Sequence, residues 1–311
     1  MSVRYVDIDD PQDVGQRADN YLMRVLKGVP RNHVYKIMRS GEVRINGGRV
    51  KATYRLQLHD KIRIPPINTR QEMPVQFSDA VAEQLRAAII FEDADFIVLN
   101  KPSGLAVHGG SSISAGIVEI MRKMTANPRL ELVHRLDRDT SGCLALAKKR
   151  SALKLAQEQF RERRVKKIYK AFVWGLWPAK TRVVQLKLQR YETSWGERRV
   201  RVDSSGQTAR TDFAIIAVAG EKVGMPITRL QATLHTGRTH QIRVHTSAND
   251  HPILGDDKYM ARDREAGSTR PMPEIPRLCL HARKLVIPLG QDLLKVSAPV
   301  DVKMEEIWSQ F

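Results

Sequence analysis

One short polar segment carries the residue types that could do chemistry: residues 134–142, His-Arg-Leu-Asp-Arg-Asp-Thr-Ser-Gly. Within it, Asp137 lies between Arg135 and Arg138, and nearby cations favour the charged form of a carboxylate. We therefore expect Asp137 to be ionised and to serve as a nucleophile or a base. The same residues also fit a turn with a structural arginine–aspartate pair, and chemistry alone does not separate these two interpretations.

Apolar runs lie on both sides of this segment, Leu132-Val133 before it and residues 143–147 after it. Short apolar runs bounded by turn residues are typical of buried strands. The polar segment is therefore predicted to be a loop held between two pieces of scaffold, where binding and catalytic groups tend to lie.

The segment resembles the signature of the RluA-type pseudouridine synthases, which modify structured RNA. In that family the aspartate that closes His-Arg-Leu-Asp is the catalytic residue, so the resemblance assigns catalysis to Asp137 and not to Asp139. Segments 166–173 and 236–245 resemble two further motifs of the family, in the family's order. The resemblance implies an isomerase that makes pseudouridine in RNA, a redox-neutral rearrangement that needs no cofactor.

The resemblance also implies roles for individual side chains. Tyr169 is expected to stack on a flipped uracil, although a lone tyrosine in a strand is more often part of a core. Arg243 is expected to pair with Asp137 or to hold the substrate, and Ile242 to form part of the uracil pocket. Arg135 is placed among the substrate-binding residues.

The segment that contains Arg243 reads as a turn followed by an alternating strand. In that arrangement Gln241, Arg243 and His245 share one face of the strand. His235, His240 and His245 are evenly spaced, which raises the question of a zinc site. Because odd spacing alternates faces in a strand and no Cys-x-x-Cys accompanies the histidines, we expect no metal there.

The N-terminal part predicts two helices followed by a small sheet. Its stretches Ser40 to Gly47 and His59 to Ile62 resemble an S4 domain, a small RNA-binding module. Its basic side chains are expected to contact RNA phosphates, although ordinary solvated helix charge is the alternative. They are Arg17, Arg24, Arg31, Lys36, Arg39, Arg44, Arg49 and Lys51.

We predict an α+β protein whose catalytic domain has a mixed, mainly antiparallel sheet flanked by helices. Residues 1–14 are polar and are expected to form an arm, and residues 15–75 the S4-like RNA-binding domain. A proline-rich linker at about residues 65–80 leads to the catalytic domain, residues 81–311. The oligomeric state is not readable from the sequence, and a monomer is our working expectation.

The composition favours a polyanionic partner. The 311 residues include 52 Lys and Arg against 34 Asp and Glu, a net charge of +18, although a generally basic protein is the alternative. No apolar stretch approaches the roughly 20 residues that span a bilayer, so we expect no membrane partner. The start of the chain lacks the apolar core of a signal peptide. Two cysteines far apart in apolar segments suit a reducing cytoplasm.

For the target, the resemblance implies large-subunit ribosomal RNA with several uridines modified. Relatives with these motifs also act on tRNA or other ribosomal RNA sites, so both remain alternatives. A non-catalytic RNA-binding or ribosome-assembly protein would keep the same scaffold. A hydrolase that uses Ser141 with a histidine is a third alternative, but the chain has no Gly-x-Ser-x-Gly elbow.

Overall fold

In this computed structural model the described residues are 2–26, 28–67, 76–109, 115–220, 224, 226–260 and 275–311. The chain forms two compact units, Met1–Gln76 and Phe77–Phe311. The central part of the predicted linker, residues 68–75, lies outside the described residues. Within the described ranges, every helix is too short or too polar to cross a bilayer.

The first unit contains two helices and a three-stranded antiparallel sheet. The helices are α1 (Ala18–Val25) and α2 (Arg31–Arg39), and the strands are β1 (Arg4–Asp7), β2 (Arg44–Ile45) and β3 (Lys61–Ile64), in the order β1-β3-β2. Leu22, Val34 and Ile62 are fully buried in the core between helices and sheet. Gly41 follows α2 with φ +77°, a left-handed conformation that suits glycine after a helix.

Strand β1 lies within residues 1–14, for which the sequence predicted a polar arm. Arg4–Asp7 pairs along its length with β3, and Ile8 just after it is only 1% exposed. The prediction of an arm was therefore wrong for these residues. An edge strand with one covered face needs few apolar residues, so its polar composition does not distinguish it from a loop.

The second unit is built on one large sheet with helices against it. Its strands are β4 (Ile89–Glu92), β5 (Phe96–Lys101), β6 (Glu131–Leu132), β7 (Ser141–Ala147), β8 (Lys166–Trp174), β9 (Val183–Glu192), β10 (Arg198–Val202), β11 (Gln207–Ala219), β12 (Ile227–Leu234), β13 (Leu280–Leu289) and β14 (Asp292–Ser297). Its helices are α3 (Asp79–Ala87), α4 (Ile117–Met124), α5 (Arg150–Arg161), α6 (Gln241–Ser247) and α7 (Val302–Ser309).

The strand order is β10-β9-β11-β12-β8-β13-β7-β5-β4, with β14 on β13 and β6 on β7. Among the described strands, the β7–β13 pair is parallel and the other pairs are antiparallel. The predicted α+β class with a mixed, mainly antiparallel sheet is confirmed. Strands β9, β10 and β11 form an antiparallel group in the order β10-β9-β11, so β11 pairs with β9 and not with the strand that precedes it.

Strand β7 is an interior strand of the large sheet. All seven of its residues are buried, and it lies between β13 and β5. A strand that is covered on both faces has a continuous apolar run, which is the pattern of residues 143–147. The polar segment 134–140 therefore leads directly into a strand whose residues are all buried.

The third motif is a helix, not the alternating strand that the sequence predicted. Residues Gln241–Ser247 form α6, and the side chains from Gln241 to Thr246 are all buried. A short helix that is covered on every side shows no amphipathic period, so its pattern resembles a strand. At about 100° per residue, Gln241, Arg243 and His245 do not share a face, and the strand-based argument against zinc loses its premise.

Candidate active site

The polar segment is fastened to the scaffold by its backbone. The buried Lys101 ammonium, at the end of β5, donates to the carbonyls of Pro102, Leu105 and Arg138, each at 2.7 Å. Ser103 Oγ donates to the Asp139 carbonyl at 2.7 Å. Burial lowers the pKa of Lys101 to about 7, while three carbonyl acceptors, one per N–H, favour its ammonium form. The segment after β5 thus holds the loop that carries Asp137.

The glycine that ends the signature is required by the close approach of β13. Gly142 has φ +108°, and a Cβ built on it would lie 2.3 Å from the Ala282 carbonyl oxygen. A side chain would separate β7 from β13 at the residue where they pair in parallel. The end of the Asp137 loop is therefore fixed by strand packing.

Asp137 lies in a cavity of about 300 Å³, which we call the Asp137 cavity. Tyr169, Ile242, Arg243 and Arg135, the other site residues predicted in this unit, also line it. They come from β8, α6 and the loop itself, and more than 100 residues separate Arg135 from Arg243. The structure brings them together, while the role of each side chain stays a prediction.

Tyr169 lines this cavity, and its phenolic hydroxyl is protonated. Desolvation by burial, and to a lesser extent the charge of Asp137, raise the pKa of its hydroxyl. Ile242 is 3% exposed and lines the same cavity. The aromatic ring and the aliphatic side chain give this cavity an apolar part near the Asp137 carboxylate, which suits a flat heterocycle.

Arg243 forms its ion pair with Asp256 and not with Asp137, which was one of its two predicted partners. Its Nε and Nη2 donate to the two oxygens of Asp256 at 2.7 and 2.6 Å, and both side chains are almost completely buried. Asp256 also accepts from the backbone N–H groups of Lys258 and Tyr259. Among the described residues, direct ion pairing of Arg243 is with Asp256 and Asp257, so it acts on Asp137 only through space.

One ionisable side chain close to Asp137 was singled out by the sequence only as a zinc candidate. His240 Nε2 lies 3.9 Å from Asp137 Oδ2. His240 Nδ1 is 2.6 Å from the Tyr259 hydroxyl, which also accepts from the Val200 N–H at 2.9 Å. His240 has φ +52°, so the turn before α6 holds it in a conformation that few side chains adopt.

These contacts favour one tautomer of the His240 imidazole. Burial lowers the pKa of its imidazole, which favours the neutral ring with a single N–H. If the Tyr259 hydroxyl donates to Nδ1, that N–H lies on Nε2 and points towards the Asp137 carboxylate. The opposite tautomer would turn the Nε2 lone pair towards an anion. The favoured tautomer gives a chain of donors from Val200 through Tyr259 to His240, whose Nε2 lies 3.9 Å from Asp137 Oδ2, beyond hydrogen-bond distance.

Two further residues of the cavity, His134 and Lys167, are basic side chains whose pKa is lowered by burial. His134 Nε2 accepts from the Ala145 N–H at 3.2 Å and its ring stacks on Phe160, and burial lowers its pKa to about 4. Burial, with a smaller contribution from Arg163, lowers the pKa of Lys167 to about 8. His134 is thus a packing group of the loop, whereas Lys167 keeps a cation at the cavity wall.

The serine of the hydrolase alternative does make a histidine contact, but the pair is sealed. Ser141 Oγ lies 2.9 Å from His281 Nδ1, and both residues are at most 1% exposed. Arg277 Nη2 donates to the same Oγ at 2.8 Å, and His281 Nε2 contacts the Ala298 carbonyl. Both side chains are hydrogen-bonded and buried, so a substrate has no access to the serine hydroxyl. This network joins β7 to β13 and does not form a nucleophilic site.

The described residues contain no group of three or more His, Cys, Asp or Glu side chains that could hold a metal ion. His245 is buried in α6, and neither of its ring nitrogens has a hydrogen-bond partner in the described part of the chain. Burial lowers its pKa to about 4, so it is a neutral core residue.

In the first unit, some of the side chains predicted to contact RNA are bonded to other groups of the protein and others are exposed. Arg17 pairs with Asp19 at 2.6 Å, and Arg44 donates to the carbonyls of Gly41 and Gly47. The exposed side chains of Arg31, Lys36 and Arg39 lie on the side of α2 away from its buried residues. That exposed basic side is what a phosphate-binding helix requires.

Comparison with known proteins gives consistent matches over nearly the whole chain. Residues 95–248 match the model of the RNA pseudouridylate synthase family, and residues 16–62 match the S4 domain. The chain is 45% identical to ribosomal large subunit pseudouridine synthase C of Pasteurella multocida, covering 99% of this chain and 93% of that protein. Its identity to the Escherichia coli protein of the same name is 43%, covering 96% and 94%.

Solved structures agree with the fold. Human RNA pseudouridylate synthase domain containing 4 superimposes with a TM-score of 0.59 at 27% identity, covering 73% of this chain and 95% of that one. Human RNA pseudouridylate synthase domain containing 1 gives a TM-score of 0.55 at 28% identity, covering 68% and 83%.

Proposed function

Because this chain belongs to the RNA pseudouridylate synthase family, we propose that it converts several uridines of large-subunit ribosomal RNA to pseudouridine in the cytoplasm. The observation that carries the proposal is the Asp137 cavity, where one carboxylate and one tyrosine ring face the same small space. Its volume of about 300 Å³ lies at the lower end of the range for small-ligand pockets.

The reaction breaks the bond from uracil N1 to ribose C1′ and forms a bond from C5 to C1′. The proton on C5 is lost, and N1 gains one, so the product is an isomer. Asp137 starts the cleavage, and attack on the sugar, addition to the base and proton abstraction are three routes that all need this carboxylate. Tyr169 and Ile242 keep the detached base from leaving before it rotates.

The target uridine must first leave its stack, which costs a few kcal/mol. The net charge of +18 supports phosphate contacts that offset this cost. We assign those contacts to the first unit, chiefly Arg31, Lys36 and Arg39, with smaller contributions from Arg17 and Arg44. The S4 match and the names of the most similar relatives support ribosomal RNA over tRNA as the partner.

Tritium release tests this function directly. Purified protein is incubated with large-subunit ribosomal RNA, small-subunit ribosomal RNA or tRNA, each labelled with tritium at C5 of uridine. We expect stoichiometric release from several positions of large-subunit RNA and background release from the other two. Tritium release from tRNA alone would show that tRNA, and not large-subunit ribosomal RNA, is the substrate. RNA binding without tritium release would support the non-catalytic alternative.

Replacing Tyr169 separates its ring from its hydroxyl. Tyr169→Phe keeps the ring and should bind substrate RNA within about twofold of the wild type, whereas Tyr169→Leu should bind about 5- to 100-fold more weakly, the range for one stacked base. Fluorescence titration in an Asp137→Asn background measures binding without turnover. Equal loss in both variants would show that the ring is not a stacking platform.

Replacing His240 tests the donor that faces Asp137. His240→Leu removes the imidazole that lies 3.9 Å from the Asp137 carboxylate. We expect kcat to fall about tenfold with unchanged RNA affinity, which corresponds to losing roughly 1.4 kcal/mol of interaction with that carboxylate. Tyr259→Phe removes only the hydroxyl that orients the ring and should lower kcat by a smaller factor. Unchanged kcat in both variants would contradict a role for this chain of donors.

A further inference from the structure

A second cavity, of about 330 Å³, lies beside the Asp137 cavity and shares its wall. We call it the neighbouring cavity. It is formed by β9, by the turn that leads into β11, and by the loop before α6. Four residues line both cavities: Arg190, Gly237, Arg238 and Thr239. We propose that the neighbouring cavity binds the nucleotide adjacent to the target uridine, an inference that rests on the proposed function.

The shared wall has the chemistry of a phosphate site. Two nucleosides in adjacent cavities are joined by a phosphodiester, which must then lie at the boundary between the cavities. Arg190 is exposed, and its guanidinium makes no hydrogen bond or ion pair to any residue that the structure describes. Arg238 makes one long hydrogen bond, 3.3 Å, to the Thr208 carbonyl. Two available guanidiniums at this boundary suit a bridging phosphate.

The interior of the neighbouring cavity suits a base. Leu188 and Val200, 5% and 4% exposed, supply apolar surface at its walls. Gln207 and Thr239 supply side chains that can donate to and accept from a base edge. The described residues that line the neighbouring cavity include no Asp or Glu, so nothing there repels a phosphate.

The shape of the neighbouring cavity is fixed by the fold. A Cβ on Gly206 would lie 2.5 Å from the carbonyl carbon of Leu188, so this turn rests directly on β9. Gln189 is held from both sides, by Ser205 at 3.0 Å and by Arg201 at 3.0 Å. A site that exists before the ligand arrives loses less ordering entropy on binding.

The test uses short RNA substrates that contain one target uridine. The nucleotide on its 5′ or its 3′ side is replaced by an abasic residue, and kcat/KM for pseudouridine formation is measured. We expect one of the two replacements to lower kcat/KM about 5- to 100-fold, the range for one stacked base, and the other to change it far less. In the Gln207→Ala variant, the ratio of kcat/KM on intact RNA to kcat/KM on the more damaging abasic RNA should fall towards one.

Charge variants complete the test. Arg190→Gln should lower kcat/KM on intact RNA about tenfold, the scale of a lost charge-assisted contact. Arg182→Gln is the matched control, because Arg182 immediately precedes β9 and lines neither cavity. It should leave kcat/KM on intact RNA unchanged, and an equal fall in both variants would contradict the assignment of Arg190. If wild-type protein makes pseudouridine but neither abasic replacement matters, the proposal fails and the function stands. If intact RNA yields no pseudouridine, both fail.

Discussion

Asp137→Asn should abolish pseudouridine formation and leave RNA binding nearly intact. The substitution keeps the size of the side chain but removes the reactive carboxylate, and it removes one negative charge from a basic protein. Loss of a group that reacts directly costs more than about a thousandfold in kcat. Single-turnover tritium release measures the rate, and fluorescence titration with the same RNA measures the affinity.

The matched control for this variant lies two residues away. Asp139 belongs to the same loop and pairs with the exposed Arg138 at 3.1 Å. Asp139→Asn removes the same charge, but the side chain does not line the Asp137 cavity. We expect its rate to stay within about threefold, since surface ion pairs contribute little. Comparable loss of rate in both variants would mean that the charge of the loop matters and the position of Asp137 does not.

The second large effect concerns stability. Asp256 is fully buried and holds the Arg243 guanidinium, so Asp256→Ala leaves a buried cation without its partner. Removing one partner of a buried pair costs about 3–5 kcal/mol, and we expect the free energy of unfolding to fall by that amount. Denaturant unfolding followed by circular dichroism measures the change.

Asp257 provides the control for Asp256. It is the next residue, lies 3.7 Å from the same guanidinium, and its side chain is 81% exposed. Asp257→Ala should change the free energy of unfolding by less than about 0.5 kcal/mol. Because Arg243 lines the Asp137 cavity, Asp256→Ala should also lose activity in the fraction that remains folded. Equal stability of the two variants would show that the buried pair is not what holds α6 to the following loop.

The features that depend on local pattern could be predicted from the sequence. Apolar runs on either side of residues 134–140 predicted a polar loop between strands, and β6 and β7 lie there. The mainly antiparallel α+β fold and the family are confirmed. Tyr169 lies in a strand, as predicted, because the run from Lys166 to Val173 is short, rich in β-branched and aromatic residues, and follows a helix that ends in basic residues.

The features that depend on tertiary packing could not be predicted. A helix covered on all sides has no amphipathic signal, so α6 read as a strand. The partner of Arg243 is chosen by the turn at Asp256, which only the folded chain places within reach of the guanidinium. The approach of His240 to Asp137 joins segments about 100 residues apart. No sequence spacing encodes such a contact, although the motif that contains His240 was visible.

The central claim is that Asp137 makes pseudouridine in large-subunit ribosomal RNA, and mapping pseudouridines in a deletion strain tests it most directly. Chemical mapping is applied to ribosomal RNA from the deletion strain, complemented with the wild-type chain, with Asp137→Asn or with nothing. We expect several large-subunit positions to lose pseudouridine on deletion, to regain it with the wild type, and to stay unmodified with Asp137→Asn. Restoration of those positions by Asp137→Asn, or an unchanged map after deletion, would contradict the account.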